Sequence, residues 1–298
     1  MTPTEFANRL DPRTVRRAFD RAAAHYERNA GLQREVADEL IERLAAVRID
    51  PAVVADLGCG TGHASRALVR MYPGARVYGV DFAPAMLRAF DRGWWPRRRP
   101  VPLCADLVRL PFADASVDVL FSSLAFQWID DLPTLFAELR RVLRPEGVLM
   151  FSSFGPDTLM ELRTAWAAVD DGVHVNRFPD MHDVGDALLG AGLRDPVMDV
   201  DRLTRAYADV RALMRSIKSI GAGNAATERS RGLTGRGVLE RLDGAYERRD
   251  PDGRPLASWE VVYGHAWGAP IPRVGHGNAG EFAIPIDAIG GRVRRGSD

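Results

Sequence analysis

The segment Asp56-Leu57-Gly58-Cys59-Gly60-Thr61-Gly62 joins a short apolar run, 53–57, to a stretch with helical periodicity, 63–71. Glycines at alternate positions let the backbone turn sharply and approach a ligand closely. A strand that enters such a turn and leaves as a helix is the opening unit of a parallel α/β sheet. The spacing is G-x-G-x-G. A dinucleotide fold prefers G-x-G-x-x-G, which would put glycine at 63, where His63 stands, so a pyrophosphate site is less well supported.

The rest of the chain repeats the alternation. Residues 76–81, 101–105, 117–122 and 147–152 read as further strands, separated by helical stretches at 84–90 and 132–143. Near-continuous apolar strands between helices indicate a parallel sheet covered on both faces, and right-handed crossovers make it doubly wound. Ahead of it, 12 to about 46 reads as helices, with Gly31 expected to break the run. Behind it, 193–206 and 256–267 read as two more strands around a helical, basic stretch at about 208–247. Three regions follow: 1–50, N-terminal helices; 51–268, the main domain with a helical insertion at about 207–250; and 269–298, an irregular Gly-, Pro- and Arg-rich tail.

The 298 residues carry no net formal charge, so nothing attracts the chain generally to nucleic acid or to an anionic membrane. There is no basic–apolar–cleavable start and no run of ~18 apolar residues, which makes a cytoplasmic chain the expectation. The two cysteines, Cys59 and Cys104, have no metal spacing, and a disulfide is not expected.

Two carboxylates extend the glycine signal. Asp81 closes the second strand, where a carboxylate can accept both hydroxyls of a ribose. Asp106 follows the third, within reach of an adenine amino group. Either alone would serve as a helix cap; together, beside the glycine turn, they outline an adenosine site at the carboxyl edge of the sheet.

Residues 52–155 thereby resemble the class I S-adenosylmethionine-dependent methyltransferases. The resemblance implies a Rossmann-like sheet of seven strands, the last antiparallel, with 256–267 as that strand. It implies that S-adenosylmethionine is held by Asp56, Gly58, Gly60 and Gly62 at its methionine part and by Asp81 at the ribose. Phe82 and Met86 would flank the adenosine, Asp106 and Leu107 the adenine, and Ser123 or Leu124 the methionine side.

A wider resemblance runs over about 12–268. It rests on Phe19-Asp20-Arg21-Ala22-Ala23, Tyr26, Phe154-Gly155-Pro156-Asp157-Thr158-Leu159, His174-Val175-Asn176, Phe178 to Asp186, Ile220-Gly221-Ala222-Gly223-Asn224 and Glu260 to Trp267. These are similar to the malonyl-acyl-carrier-protein O-methyltransferases of biotin synthesis, the BioC family. The implied reaction moves a methyl group to the free carboxylate of a malonyl thioester, with acyl carrier protein as partner. Trp94 to Arg99 and the 269–298 tail lie outside the resemblance.

Charge patterning is compatible with that partner. Residues 151–201 hold ten Asp or Glu against three Arg, whereas 202–254 hold twelve Lys or Arg against seven acids. Val210, Leu213, Met214 and Ile217 form one helical stripe; Arg211, Arg215 and Lys218 form another. A basic face suits an acidic carrier protein, or is simply solvated. Gln127 and Trp128, after the fourth strand, together with His174 and Arg177, are candidate substrate contacts, and Tyr26 is a candidate lid over the methyl site. His174, His182 and His265 lack close ligand spacing, and no metal is expected. Two alternatives stay open: a methyltransferase for another small acid or quinone-like ring, and a non-methylating protein-modifying or assembly factor on the same fold.

Overall fold

The computed structural model describes residues 10–91, 99–227 and 235–269. Trp94, Trp95, Arg97, Arg98 and all but the first residue of the tail lie outside them.

The main domain runs β1 (Val53–Leu57), α4 (His63–Met71), β2 (Arg76–Asp81), α5 (Pro84–Arg88), β3 (Val101–Cys104), β4 (Val117–Ser123), α6 (Leu132–Val142) and β5 (Leu143–Phe154). It continues through α7 (Met160–Ala167), α8 (Met181–Gly190), β6 (Arg194–Ala206), α9 (Val210–Ser219), α10 (Arg236–Ala245) and β7 (Leu256–Trp267). One seven-stranded sheet results, in the order β3-β2-β1-β4-β5-β7-β6. The pairings from β3 across to β5 are parallel, and β7 is antiparallel to both of its neighbours. The seven strands and the antiparallel last strand fall where the sequence placed them. Its insertion between β5 and β6 is a long-range pairing that local pattern does not encode.

The order reverses between β1 and β4, so a crevice opens at their carboxyl ends. Neighbouring side chains on each strand go to opposite faces. Val54, Val77, Val119 and Val148 pack in the core layer that also holds Leu40 and Leu68. Ala55, Val80, Leu120 and Leu149 join the layer that holds Leu135 and Leu139. Both faces are dry, which is why these strands read as continuous apolar runs.

The N-terminal segment forms α1 (Pro12–Ala22), a 3-10 turn Ala23–His25, α2 (Tyr26–Asn29) and α3 (Gly31–Ala45). The break falls at Ala30 (φ −84°, ψ 39°), and Gly31 is the first residue of α3, not the interruption the sequence predicts. Asp11 caps α1 by accepting the Arg13 amide at 3.0 Å. Asp20 accepts the Ala85 amide at 2.9 Å, pinning α1 to the start of α5. Arg43 bonds Asp199 at 2.8 Å and lies over the Tyr263 ring, tying α3 to the β6–β7 edge. Along α9, Val210 and Leu213 are buried while Arg211, Arg215 and Lys218 are exposed, as the two predicted stripes require.

Candidate active site

The turn after β1 has the conformation its glycines permit. Gly58, Gly60 and Gly62 all adopt positive φ, at 73°, 53° and 92°. A Cβ on Gly58 would stand 2.3 Å from the Ala125 Cβ, and one on Gly62 would stand 2.8 Å from the Phe90 ring. The opposite lip, after β4, turns at Leu124, whose φ of 50° is unusual for a branched residue. The Leu124 amide is bonded to the Ser152 carbonyl at 3.0 Å, which holds that turn in place.

Asp56 and Asp81 end adjacent strands and are both buried. Asp56 accepts the Ser65 hydroxyl from the first turn of α4. Asp81 accepts the Gly60 amide at 2.9 Å and the Ala83 amide at 2.8 Å. Burial raises the Asp56 pKa to about 7, against the Ser65 bond, which lowers it. Burial likewise raises Asp81 to about 6, opposed by the Ala83 and Gly60 amides. Among the described residues neither acid forms a salt bridge to a cationic side chain, and Arg34, in the same small hollow as Asp56, is paired instead with Glu27. Two desolvated carboxylates with no direct cationic partner among the described residues make a site suited to a positively charged ligand.

Two adjoining hollows face these acids. The larger, about 290 Å³, is lined by Phe19, Asp81, Phe82, Met86, Asp106, Leu107 and Trp128 among others. The smaller, about 50 Å³, is lined by Glu27, Gln33, Arg34, Asp56 and Thr61. Tyr26, Gly58, Gly60 and Ser123 border both. The first has room and apolar walls for a nucleoside, with Asp81 and Asp106 as polar anchors; the second puts polar groups around a short extension. Asp106 is exposed and accepts the Val108 amide at 3.2 Å in a tight turn. Gly62 lies just behind, at the cap of α4.

The N-terminal helices close the site. Thr61 donates to Glu27 of α2, and His63 bonds Asp38 of α3 at 2.7 Å. Phe19 stands edge-on to Trp128 (5.4 Å) and to Phe82 (6.4 Å). Tyr26 is half-buried in the common wall, and burial pushes its hydroxyl pKa well up, so it stays protonated. Cys59 is buried beside the two acids, and burial raises its thiol pKa well above the ordinary value, so it is an inert packing group.

The substrate candidates divide. Trp128 lines the nucleoside hollow. Gln127 is buried and donates to the Leu124 carbonyl at 2.7 Å, supporting the turn, and it lines none of these hollows. His174 lies 3.6 Å from Trp166 in a flat stack, bonds Asp170 at 2.6 Å, and lines a separate cavity of about 610 Å³. Arg177 is exposed and lines none of these hollows. The sequence reading missed Phe19, Glu27, Thr61 and Ala125, which matter here through contacts between distant segments. Among the described residues no group of three or more His, Cys, Asp and Glu side chains could hold a metal ion, and no helix is long and apolar enough to cross a membrane.

A doubly wound sheet of this order, with an acid–glycine turn after β1 and a second acid ending β2, is the architecture of a class I methyltransferase. Residues 55–151 match the methyltransferase domain family. The YcgJ protein of Bacillus subtilis shares the fold at a TM-score of 0.55, with 16% identity, covering 79% of this chain and 98% of that one. A malonyl-acyl-carrier-protein O-methyltransferase of Halorhodospira halophila is 50% identical over 290 residues, 97% of this chain and 98% of its own. One of the same name from Laribacter hongkongensis is 50% identical over 265 residues, 86% of this chain and 89% of its own. The chain belongs to the malonyl-acyl-carrier-protein O-methyltransferase family. The alternatives left open by the sequence, another acceptor or a non-methylating factor, are not favoured.

Proposed function

We propose that this chain methylates the free carboxylate of a malonyl thioester carried on acyl carrier protein, using S-adenosylmethionine, and so makes the methyl ester primer for pimeloyl and biotin synthesis. The observation that carries the cofactor is the pair of buried acids, Asp56 and Asp81, which form no ion pair among the described residues and stand beside a nucleoside-sized hollow. S-adenosylmethionine, when bound, supplies a methyl group made electrophilic by a positive sulfur.

The protein's part is positioning. A malonyl carboxylate is ionised near neutral pH, so the site needs no general base. Asp81 and Asp106 would hold the nucleoside, Asp56 and the glycine turn the amino-acid end. Tyr26 and the Phe19–Trp128 pair shut out water, which strengthens electrostatic attraction between unlike charges in the site. Holding acceptor oxygen and methyl carbon at near-attack distance supplies the rest of the acceleration. His174 and Trp128 would border the acceptor's path, and Arg211, Arg215 and Lys218 would offer an acidic carrier protein a basic face. Two free cysteines, Cys59 and Cys104, fit a reducing, cytoplasmic setting.

The test is intact-mass spectrometry of malonyl carrier protein after incubation with isotope-labelled donor. The reading expects one labelled methyl per carrier, lost again on mild ester hydrolysis. A carrier that gains no label while the donor is bound would refute it.

A further inference from the structure

The cavity of about 610 Å³ lies against a different face of the N-terminal helices from the cofactor hollows. Ala18, Arg21, Ala22 and His25 border it, whereas Val15, Phe19 and Tyr26 border the nucleoside hollow. Farther along, Asn29 faces this cavity and Ala30 faces the small methionine-side hollow. The 3-10 turn and the single turn of α2 therefore run between the two spaces and border both.

Their electrostatics are opposite. The described lining of the nucleoside hollow includes Asp81, Asp106, Asp130 and Asp131 and no Arg or Lys. That lining suits the cationic donor rather than the phosphate of an acceptor. The larger cavity has Arg21 from α1 and Lys218 from α9 at its border, both exposed and neither with an ion-pair partner among the described residues. Between them lies an apolar wall of Leu162, Trp166, Met214 and Ile217. The Trp166–His174 stack, braced by the bond from His174 to Asp170, stiffens that wall. A long ligand that carries a phosphate at the end nearest Arg21 and Lys218 matches this distribution, and the volume is in the range of small-molecule sites.

We infer that this cavity receives the phosphopantetheine arm bearing the malonyl thioester, with Lys218 and Arg21 clasping its phosphodiester at the rim. The inference rests on the proposed acceptor. Coenzyme A carries the same arm, but the exposed run Arg211, Arg215, Lys218 along α9 leads to this rim, so the arm comes from a carrier protein seated on that face. Lys218, the only lysine in the chain, thus acts on the arm, while Arg211 and Arg215 act on the protein that carries it.

The experiment compares kcat/KM for malonyl-phosphopantetheine and malonyl-pantetheine, which differ only in the phosphate. The wild-type chain should favour the phosphorylated form by about tenfold or more, the usual scale of charge-assisted phosphate contacts. In Arg21→Ala/Lys218→Ala the ratio should fall toward one, and Lys218→Arg should keep most of it. A ratio is independent of how much protein is folded. Equal rates on both compounds in the wild type, or a ratio unchanged in the double variant, would overturn the clasp. Malonyl carrier protein should show a lower KM than malonyl-coenzyme A; equal values would overturn the carrier as source. If the underlying acceptor were wrong, the result would differ in kind: no methyl ester on malonyl carrier protein at all.

Discussion

The Asp81 carboxylate accepts the Gly60 amide at 2.9 Å, which couples the end of β2 to the middle of the turn after β1. One side chain thereby shapes the glycine turn and faces the nucleoside hollow. Asp81→Ala should weaken donor binding by about tenfold or more, the cost of losing hydrogen bonds to a charged acceptor. The fold should persist, because the substitution also removes a desolvated charge. Calorimetric titration with circular dichroism checks both; unaltered affinity would remove Asp81 from the site.

Gly58 faces Ala125 across the crevice mouth. Gly58→Ala brings a Cβ to 2.3 Å from the Ala125 Cβ at a φ of 73°. The two lips must part, and stability should drop by about 1–3 kcal/mol with a parallel loss of donor affinity. Gly60→Ala meets only the Tyr26 ring edge, at 3.7 Å, so its cost should be mainly conformational, near 1 kcal/mol. Chemical denaturation of the two variants ranks them; a larger cost at Gly60 would contradict the geometry.

Tyr26 stays protonated, so its ring rather than an ionised hydroxyl should matter. Tyr26→Phe should keep kcat within about threefold, while Tyr26→Ala opens the shared wall and should lower kcat by about tenfold or more. Equal losses in both variants would show that the hydroxyl acts directly.

Charge reversal at Arg211 and Arg215 should raise KM for the carrier-linked substrate several-fold at low ionic strength. The effect should shrink as salt is added, because exposed charges are screened. Donor affinity should not move. An unchanged KM would remove α9 as the docking face.

Much of this was legible in the sequence because the sheet is buried on both sides. Dry strands such as Val117–Ser123 betray themselves by composition alone. The acid–glycine turn was equally legible, since positive φ restricts residue choice. Helices α7 and α8 were not marked: α8 buries only Val184 and Leu188 and carries Gly185 and Gly190, which blur its period. The helix break misplaced to Gly31 falls at Ala30 because helix propensity of glycine is only a weak prior against tertiary contacts. The contacts of the N-terminal helices, Glu27 with Thr61 and Asp20 with Ala85, join segments far apart in sequence and leave no periodic signature. Arg177, a candidate to orient the acceptor carboxylate, is exposed and lines none of the hollows described, a placement that sequence alone does not reveal.

The central claim is that a cationic donor settles between Asp56 and Asp81, and donor titration near pH 6.5 in buffers of different ionisation enthalpy tests it most directly. Burial raises these acids to about 7 and about 6, so the free protein holds protons there that the unfolded chain, with carboxyls near 4, releases. Stability of the free protein should therefore fall as pH rises from about 4 to 7. A bound cation favours the ionised acids and lowers both pKa values, so binding should tighten across that window and release protons, seen as a buffer-dependent heat. No heat from either the donor or its demethylated product, with the protein folded, would contradict the account.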